Sequence, residues 1–459
     1  MSPAVESPVA QDWHPTSWQK REALQQPTYE DADEAQRVID EISKFPPLVT
    51  SWEVENLKHQ LGEAASGQRF LLQGGDCAEV FDECESSIIA NKLKILLQMG
   101  LVLLHGGHRR VVRVGRFAGQ YAKPRSDNME NRDGKSLPSY RGDLINAVEF
   151  TDDKRYHNPH RMLRGYSRSA LTLNFIRSLV DGGFADLHHP EYWGLDFMQH
   201  SEMREEYQQM VNDIGSSLQF METMLGRRVS DLSRVDFFTS HEGLHLLYEQ
   251  SQTRRVPHRD GWFNLATHMP WIGMRTNQID GAHVEYFRGI SNPIGCKIGP
   301  STTSEGLVEL IKVLNPYNEP GRLTLIHRFG NAKIAQHLPP LLEAVRRNNL
   351  TVLWCCDPMH GNTVKTDAGY KTRRFDHILS ELEQAFDLHA EVGTRLGGVH
   401  VELTGDDVTE CTGGARGLDD EQLKRSYRTF VDPRLNYEQA LELAFLIAQR
   451  MRRMTAAVR

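Results

Sequence analysis

The sequence lacks the signatures of several large classes of protein. No uninterrupted apolar run reaches the roughly 20 residues that a membrane-spanning helix needs, and the opening segment MSPAVESPVAQDWHPTSW has no basic stretch followed by an apolar one. Neither GxxxxGK followed by Ser or Thr, nor GxGxxG, occurs in the chain, so dependence on ATP or NAD loses support. These absences favour a cytoplasmic protein that neither crosses a membrane nor uses a nucleotide.

An excess of basic residues and a framework of cysteines are also missing. The net charge is −8, from 53 Lys and Arg against 61 Asp and Glu, which argues against a general nucleic-acid or membrane-surface binder. An anionic ligand would therefore need a local cluster of cations. The six cysteines show no zinc-finger spacing, and in a cytoplasmic chain we expect them to be reduced.

What the chain does contain is a series of short apolar, β-branched runs separated by helix-forming stretches. Almost every run ends in, or contains near its end, a residue capable of chemistry. The eight runs are FLLQGGDC, VVRVGR, DFFTSHEG, FNLATHMPWIGMR, IGCKIGPS, LTLIHRFG, TVLWCCDPMHG and GGVHVELTG. Such runs are typical of buried parallel strands in βα units. The sequence therefore predicts an α/β fold, a (β/α)8 TIM barrel whose active site lies at the carboxyl ends of its strands.

The length of 459 residues is about twice that of a bare barrel, so we expect the additional residues to form extensions or insertions. We predict that residues 1–66 form an N-terminal extension packed on the barrel and that residues 67–459 form the catalytic barrel. The interval between the second and third strands, about 120–234, is too long for an ordinary βα connection. Its first part is polar and basic and is expected to border the mouth, whereas helices are expected at about 168–226. These inserted helices serve either homo-oligomerisation and regulation or simple packing cover, and we favour a homo-oligomer.

Four residues are candidate metal ligands: Cys77, His360 and Glu402 near the predicted strand ends, and Asp432 in the later segment FVDPRLN. A thiol, an imidazole and two carboxylates suit a divalent ion such as Mn or Co, with Zn or Fe also compatible. The spacing forms no compact motif, so the four would converge only if a barrel brings them together. Read singly, His360 could be an ordinary hydrogen-bonded histidine and Cys77 could be a nucleophile.

A second set of candidates is cationic and also falls in or just after the predicted strands. Its members are Arg116, Lys123, Arg125, Arg275, Lys297 and Arg328. Arginine pairs bidentately with phosphate or carboxylate, and lysine acts as a compact charge. Several such cations at one end of a barrel predict a substrate with more than one anionic group. Glu242 and His327 could act as acid–base groups or could orient the cations.

Several long motifs, in order, resemble the type II 3-deoxy-D-arabino-heptulosonate 7-phosphate (DAHP) synthase family over about residues 14–450. They are QGGDCAE, GRFAGQYAKPRS, PWIGMRTNQIDGAHVEYFRGI, NPIGCKIGPS, HRFGN, CDPMHGNT, GGVHVELTGDDVTECTGG and DPRLNYEQALELAF. The resemblance implies a metal-dependent condensation of phosphoenolpyruvate with erythrose 4-phosphate, the first step of the shikimate pathway. It implies metal ligation by Cys77, His360, Glu402 and Asp432.

The resemblance also implies substrate contacts and partners. Phosphoenolpyruvate would be held by Arg116, Arg275, Lys297 and Arg328, and the KPRS segment with Lys123, Arg125 and Ser126 would border the erythrose 4-phosphate site. We name Lys297, Arg116, Arg328 and Cys77 as the catalytic set, with Lys297 as first candidate for proton delivery and metal-bound water as its rival. An aromatic amino acid effector and a partner enzyme of chorismate biosynthesis are further expectations from the family.

The chain departs from the family pattern at three positions. Met274 stands in the substrate-binding motif where members usually have an acidic residue, and Asn277 stands where they have a cation. Val431 replaces a cysteine that some members carry, so a disulfide from that position to Cys77 is not available. Two alternatives stay open: a related phosphoenolpyruvate-condensing synthase or aldolase, and a catalytically impaired regulatory scaffold for which Met274 is the one hint.

Overall fold

Eight parallel strands close into a barrel in the computed structural model, which describes residues 13–184, 204–225 and 236–457. In chain order the barrel strands are β1 (Arg69–Gly75), β2 (Arg110–Arg116), β5 (Phe238–Glu242), β8 (Met269–Ile272), β9 (Ile294–Ile298), β10 (Leu323–His327), β11 (Leu353–Cys356) and β14 (Leu396–Glu402). Each pairs with the next along the chain, and β14 returns to β1. The predicted TIM barrel is confirmed.

The fourth predicted strand, residues 263–275, is divided in the structure. Its first part is β7 (Phe263–Asn264), which pairs antiparallel with β6 (Thr253–Arg254) outside the barrel, and only β8 joins the barrel. The buried Asn292 amide explains the division, because it donates hydrogen bonds to the carbonyl oxygens of Asn264, Thr267 and His268. Those carbonyls are therefore turned away from the barrel ladder.

Helices cover the outside of the barrel. They are α3 (Ser86–Gly107), α7 (Leu246–Ser251), α8 (Ala282–Gly289), α9 (Ser304–Leu314), α10 (Ile334–Arg347), α11 (Phe375–Val392) and α12 (Tyr437–Ala457). By length and composition alone α3 could cross a membrane. In the fold it packs against α12 so closely that a Cβ on Gly106 would lie 2.6 Å from the Cβ of Ala448. This burial between barrel and helix accounts for the apolar composition of α3.

The N-terminal extension includes the helix that closes the amino-terminal end of the barrel. It contains a 3₁₀ turn (Ser17–Lys20), α1 (Ala32–Ile42) and α2 (Ser51–Ala65). A capping box between Thr50 and Glu53 starts α2. Leu57, Leu61 and Ala64 of this helix form one buried cluster with interior side chains of six barrel strands. The helix therefore fills the bottom of the barrel, and the opposite end stays available for a site.

The long connection after β2 contains the predicted helices and a hairpin that the sequence did not predict. The hairpin is β3 (Met129–Arg132) with β4 (Lys135–Pro138), and the helices are α4 (Asp152–Arg155), α5 (His160–Asp181) and α6 (Arg204–Leu225). The predicted insertion at about 168–226 thus begins earlier, and parts of it at 185–203 and at 226 lie outside the described residues. Because α5 contacts α1 and α3, and α6 contacts α3, both helices cover the barrel layer.

Three small elements complete the described residues, and one of them is a 3₁₀ turn at Phe81–Glu83 after β1. The hairpin β12 (Thr363–Lys365) with β13 (Lys371–Arg373) follows β11, and a 3₁₀ turn covers Gln422–Arg425. The β12–β13 hairpin brings Arg373 to the mouth of the barrel, where it contacts the end of β14.

Candidate functional site

A cavity of about 320 Å³ opens at the carboxyl end of the barrel. Nine of the candidate metal ligands and predicted substrate-binding residues line it: Cys77, Arg116, Lys123, Met274, Arg275, Lys297, Arg328, His360 and Asp432. They come from β2 and β9 and from the segments that follow β1, β2, β8, β10, β11 and β14. The barrel thus gathers at one mouth residues that lie hundreds of positions apart in the chain.

The four candidate ligands converge at one side of this cavity. One ligand atom from each of Cys77, His360, Glu402 and Asp432 lies within 4.8 Å of the others. Cys77 follows β1, His360 follows β11, and Glu402 ends β14. Among residues 13–184, 204–225 and 236–457, no other group of three or more such side chains comes together in this way.

Two arginines and one histidine hold the Glu402 side chain at the base of the cluster. Its carboxylate accepts from Arg116 Nη2 at 3.2 Å and from Arg373 Nη1 at 2.7 Å, and it lies 3.0 Å from His360 Nε2. Burial raises the pKa of Glu402, but the charges of His360, Arg373 and Arg116 outweigh it and hold the pKa well below its ordinary value. Gly75 lies level with both Arg116 and Glu402 in the sheet and has φ +144°. A Cβ there would lie 2.8 Å from the Arg116 carbonyl oxygen, which explains the glycine.

Asp432 belongs to no strand, and buried ion pairs fix its segment. Arg434 forms a two-pronged contact with Glu410, at 2.9 and 3.1 Å, and donates to Asp76 Oδ1 at 2.7 Å. Asp76 directly precedes Cys77, so this network ties together the two segments that carry the candidate ligands Cys77 and Asp432. The Asp432 carboxylate itself accepts from Lys123 Nζ at 2.7 Å.

Asp357, which the sequence did not single out, joins the ligand cluster to the cations. Its fully buried Oδ2 accepts from His360 Nδ1 at 2.7 Å and from Lys297 Nζ at 2.8 Å. Burial raises the pKa of Asp357, but His360 and Lys297 outweigh it and keep the pKa well below its ordinary value. With the Nδ1 proton donated to Asp357, His360 Nε2 faces the other ligands. A carboxylate three residues before a ligand histidine is the signal that could have identified this residue.

The donor set fits a divalent cation. Burial and the Glu402 carboxylate raise the pKa of the Cys77 thiol to about 12, so the thiol is protonated at neutral pH unless a cation binds it. Lys123 Nζ contacts both Cys77 Sγ and Asp432 Oδ2, which shows that the pocket between these side chains is built for positive charge. A thiol, an imidazole and two carboxylates are the ligands that Mn, Fe, Co and Zn share.

Two of the cations lie against the indole of Trp271, a residue of the fourth apolar run. Lys297 Nζ lies 4.7 Å and Arg116 Cζ lies 5.5 Å from the centre of the Trp271 ring, a distance suited to cation–π attraction. Arg328 donates from Nη2 to the His360 carbonyl oxygen at 2.6 Å. Burial lowers the pKa of Lys297, although Asp357 opposes that shift. The cavity wall beside the candidate ligands therefore carries three cations, Arg116, Lys297 and Arg328.

The KPRS segment lies at the rim. Ser126 Oγ accepts from Arg275 Nη2 at 3.0 Å, which joins this segment to the end of β8. The Arg125 side chain is directed to Glu130, with Nη2 3.3 Å from Oε1. Of the residues predicted to bind substrate, Arg125 and Ser126 are the two that do not line the cavity.

Of the two candidate acid–base groups, only Glu242 faces the cavity. Its carboxyl group is buried, which raises its pKa, and Oε1 has no hydrogen-bond partner among the described residues. Gly273 permits this position, because a Cβ there would lie 1.9 Å from Glu242 Oε1. His327 instead packs outward against Trp354 and His389, with ring centres 6.4 and 5.8 Å away. The alternative that His327 acts in the mouth is therefore wrong.

Comparison with known proteins assigns this chain to a family. The family model for the class-II DAHP synthetase family matches residues 13–448. The chain belongs to that family. It is similar to a protein of Neurospora crassa, at 47% identity over 97% of this chain and 96% of the relative, and to one of Streptomyces coelicolor, at 47% over 95% and 97%. Both are named phospho-2-dehydro-3-deoxyheptonate aldolase, and a Mycolicibacterium smegmatis protein of the same name, AroG, is 45% identical over 94% and 93%.

The structure shows the surroundings of the three positions that depart from the family pattern. Met274 lines the cavity, and Asn277 Nδ2 lies 3.8 Å from its sulphur while donating to the Lys297 carbonyl oxygen at 2.9 Å. Asn277 therefore supports the strand that carries Lys297. Val431 packs with Cys77 and Tyr140 in a small apolar cluster, and all six cysteines are free thiols.

Proposed function

We propose that the chain is a DAHP synthase that condenses phosphoenolpyruvate with erythrose 4-phosphate. In this reaction C3 of phosphoenolpyruvate bonds to the aldehyde carbon, water adds at C2, and C–O cleavage releases inorganic phosphate. The observation that carries the proposal is the cavity at the mouth of the barrel, where the cluster of four candidate ligands and several cations lie side by side. Membership of the class-II DAHP synthetase family supports the same reaction.

The cationic wall suits phosphoenolpyruvate, which carries a carboxylate and a phosphate. Arg116, Lys297 and Arg328 reach the cavity from neighbouring parts of the barrel and would neutralise these two groups. Arg275 would complete the phosphate contact from the rim. Because Arg116 and Lys297 are held by the buried carboxylates of Glu402 and Asp357, they would orient the substrate at little cost in side-chain entropy.

Erythrose 4-phosphate would bind on the side of the KPRS segment. Lys123 faces the ligand cluster, whereas Ser126 and Arg275 are joined at the rim. This arrangement would place the sugar phosphate outside and its aldehyde toward the cluster. Lys123, Arg125 and Ser126 are thus proposed to border this second site.

Cys77, His360, Glu402 and Asp432 would hold the divalent ion, which when bound supplies a Lewis acid for the aldehyde oxygen. Mn or Co fits the mixture of soft and hard ligands best, and Zn or Fe also fits. Lys297 would deliver a proton to the aldehyde oxygen as the C–C bond forms. Its lowered pKa, which results from burial, makes the ammonium a better acid than an exposed lysine.

The family resemblance and the inserted helices support proposals on assembly and regulation as well. We propose a cytoplasmic homo-oligomer that responds to an aromatic amino acid and works beside an enzyme of chorismate biosynthesis. Size-exclusion chromatography with light scattering tests the assembly. Rates measured with and without Trp, Phe or Tyr test the regulation.

Phosphate release from the purified protein tests the reaction. Activity that requires both substrates, disappears after EDTA treatment and returns with Mn or Co supports the proposal. Release with a different aldehyde only would favour a related synthase. No activity with any metal would contradict the proposal and identify Met274 as a lesion in a regulatory scaffold.

A further inference from the structure

Two consecutive glutamines of the N-terminal extension reach the rim of the cavity. Gln25 Nε2 donates to the Arg125 carbonyl oxygen at 3.0 Å, and the Arg125 amide donates back to Gln25 Oε1 at 2.9 Å. The side chain thereby pairs with the Arg125 backbone as a neighbouring strand would. Arg141 Nη1 also donates to Gln25 Oε1, at 3.2 Å, so this oxygen receives two hydrogen bonds.

Gln26 makes the same reciprocal pair with a different loop. Its Nε2 donates to the Leu244 carbonyl oxygen at 2.7 Å, and the Leu246 amide donates to its Oε1 at 3.0 Å. Gln25 has φ +62°, in the left-handed region that non-glycine residues rarely adopt. With this backbone conformation the two adjacent side chains point to two separate loops. A strained backbone position of this kind persists only where surrounding contacts hold it.

Both loops carry residues of the cavity. The first loop contains Lys123 and Pro124, which line the cavity, and Arg125 directly precedes Ser126, whose hydroxyl accepts from Arg275 at 3.0 Å. Leu244 closes a tight turn on Glu242, with its amide 2.7 Å from the Glu242 carbonyl oxygen. The glutamine pair therefore links the KPRS segment after β2 to the turn after β5.

We propose that Gln25 and Gln26 form a clamp that positions the KPRS segment for erythrose 4-phosphate. The inference rests on the proposed function, since it assigns that segment to the second substrate. Neither glutamine contacts Arg116, Lys297 or Arg328, and the clamp reaches the phosphoenolpyruvate cations only indirectly, through the hydrogen bond of Ser126 with Arg275. The clamp should therefore affect binding of phosphoenolpyruvate much less than binding of erythrose 4-phosphate. The two residues act through the loops and are positioning residues.

The first test compares Gln25→Ala with the wild-type protein in steady-state kinetics. Loss of two hydrogen bonds to the Arg125 backbone should raise KM for erythrose 4-phosphate by about five- to tenfold, with KM for phosphoenolpyruvate changed by less than about twofold. Gln25→Glu keeps the acceptor for the Arg125 amide and loses the donor, so an intermediate increase is expected. Gln26→Ala removes the hydrogen bonds to Leu244 and Leu246 and should raise KM for erythrose 4-phosphate by a smaller factor.

A second readout does not depend on activity. The Arg125–Ser126 peptide bond is a trypsin site whose Arg125 N–H and C=O are both hydrogen-bonded to Gln25. Gln25→Ala should speed cleavage at this bond by about tenfold, since cleavage requires local opening of the backbone. Gln36→Ala is the matched control, because this exposed glutamine bonds only to Asp40 on the surface of α1.

The outcomes separate the clamp from the reaction. An inactive wild-type protein refutes the proposed function, while faster cleavage at Arg125 in Gln25→Ala would still support the clamp. An active wild type whose Gln25→Ala variant has unchanged KM for erythrose 4-phosphate and unchanged cleavage refutes the clamp alone. Equal rises in both KM values would also refute it, because they would indicate a general disturbance of the mouth.

Discussion

Replacing Asp357 by Asn tests whether this buried carboxylate prepares the metal site. Asn has nearly the same shape, so the change removes charge and not volume. Oδ2 of Asp357 now accepts from His360 Nδ1 at 2.7 Å and from Lys297 Nζ at 2.8 Å. An amide cannot serve two cationic donors as a carboxylate does. Each contact to a charged group contributes about 1.5–3 kcal/mol, and loss of one outer partner of a ligand histidine typically weakens metal binding about 10- to 100-fold.

We therefore expect Kd for Mn²⁺ to rise by roughly 30-fold, or about 2 kcal/mol. The measurement is calorimetric titration of the EDTA-stripped protein with Mn²⁺, supported by circular dichroism to show that the variant is folded. Asp367→Asn is the control, since Asp367 is exposed in the β12–β13 turn of the same segment. A Kd within twofold of wild type for Asp357→Asn would refute the reasoning.

Three other changes probe separate parts of the site. Cys77→Ser should keep the thermal midpoint within a few degrees while weakening Mn²⁺ binding by at least about tenfold, because a hydroxyl is a poorer ligand than a thiolate; normal activity and affinity would refute the ligand assignment. Gly273→Ala should lower kcat/KM by at least about tenfold, because its Cβ would lie 1.9 Å from Glu242 Oε1, whereas Gly215→Ala, with open space around it, should be silent. Glu381, whose pKa burial raises from 4.5 to about 7, binds a proton more tightly when folded, so its contribution to stability falls as pH rises through that window. Relative to Glu381→Gln, the wild-type free energy of unfolding should fall by about 2–3 kcal/mol between pH 5 and 8, and a difference that does not change with pH in denaturant titrations would contradict this.

The barrel and most of the cavity could be predicted because strand ends in a closed parallel barrel must meet. Arg116 and Glu402 end β2 and β14, and Cys77 follows β1. A closed barrel of eight predicted strands therefore predicts that the three residues lie close together. Asp432 is different, since it lies on no strand. Its position depends on the contacts of Arg434 with Glu410 and Asp76, which no local pattern in the sequence reveals.

The errors and omissions have physical reasons too. His327 and Arg328 are adjacent, and side chains alternate between the two faces of a strand, so the direction of Arg328 into the cavity requires His327 to point outward. Gln25 and Gln26 lie in a segment without periodicity and pair with loops 100 and 220 residues away. Asp357 was quoted within a motif, but its double contact appears only when β9 and β11 end at the same mouth.

The helix that fills the bottom of the barrel bears on how the chain folds. The ribosome delivers α2 before any barrel strand, and its Leu57, Leu61 and Ala64 can be buried only when strands from both ends of the sequence have arrived. The apolar face of α2 therefore stays exposed to solvent until the barrel closes. Its burial then depends on contacts between residues far apart in the sequence, so the final folding step has a high contact order. A chain shortened to begin at β1 would close around an unfilled end, and we expect it to aggregate during synthesis.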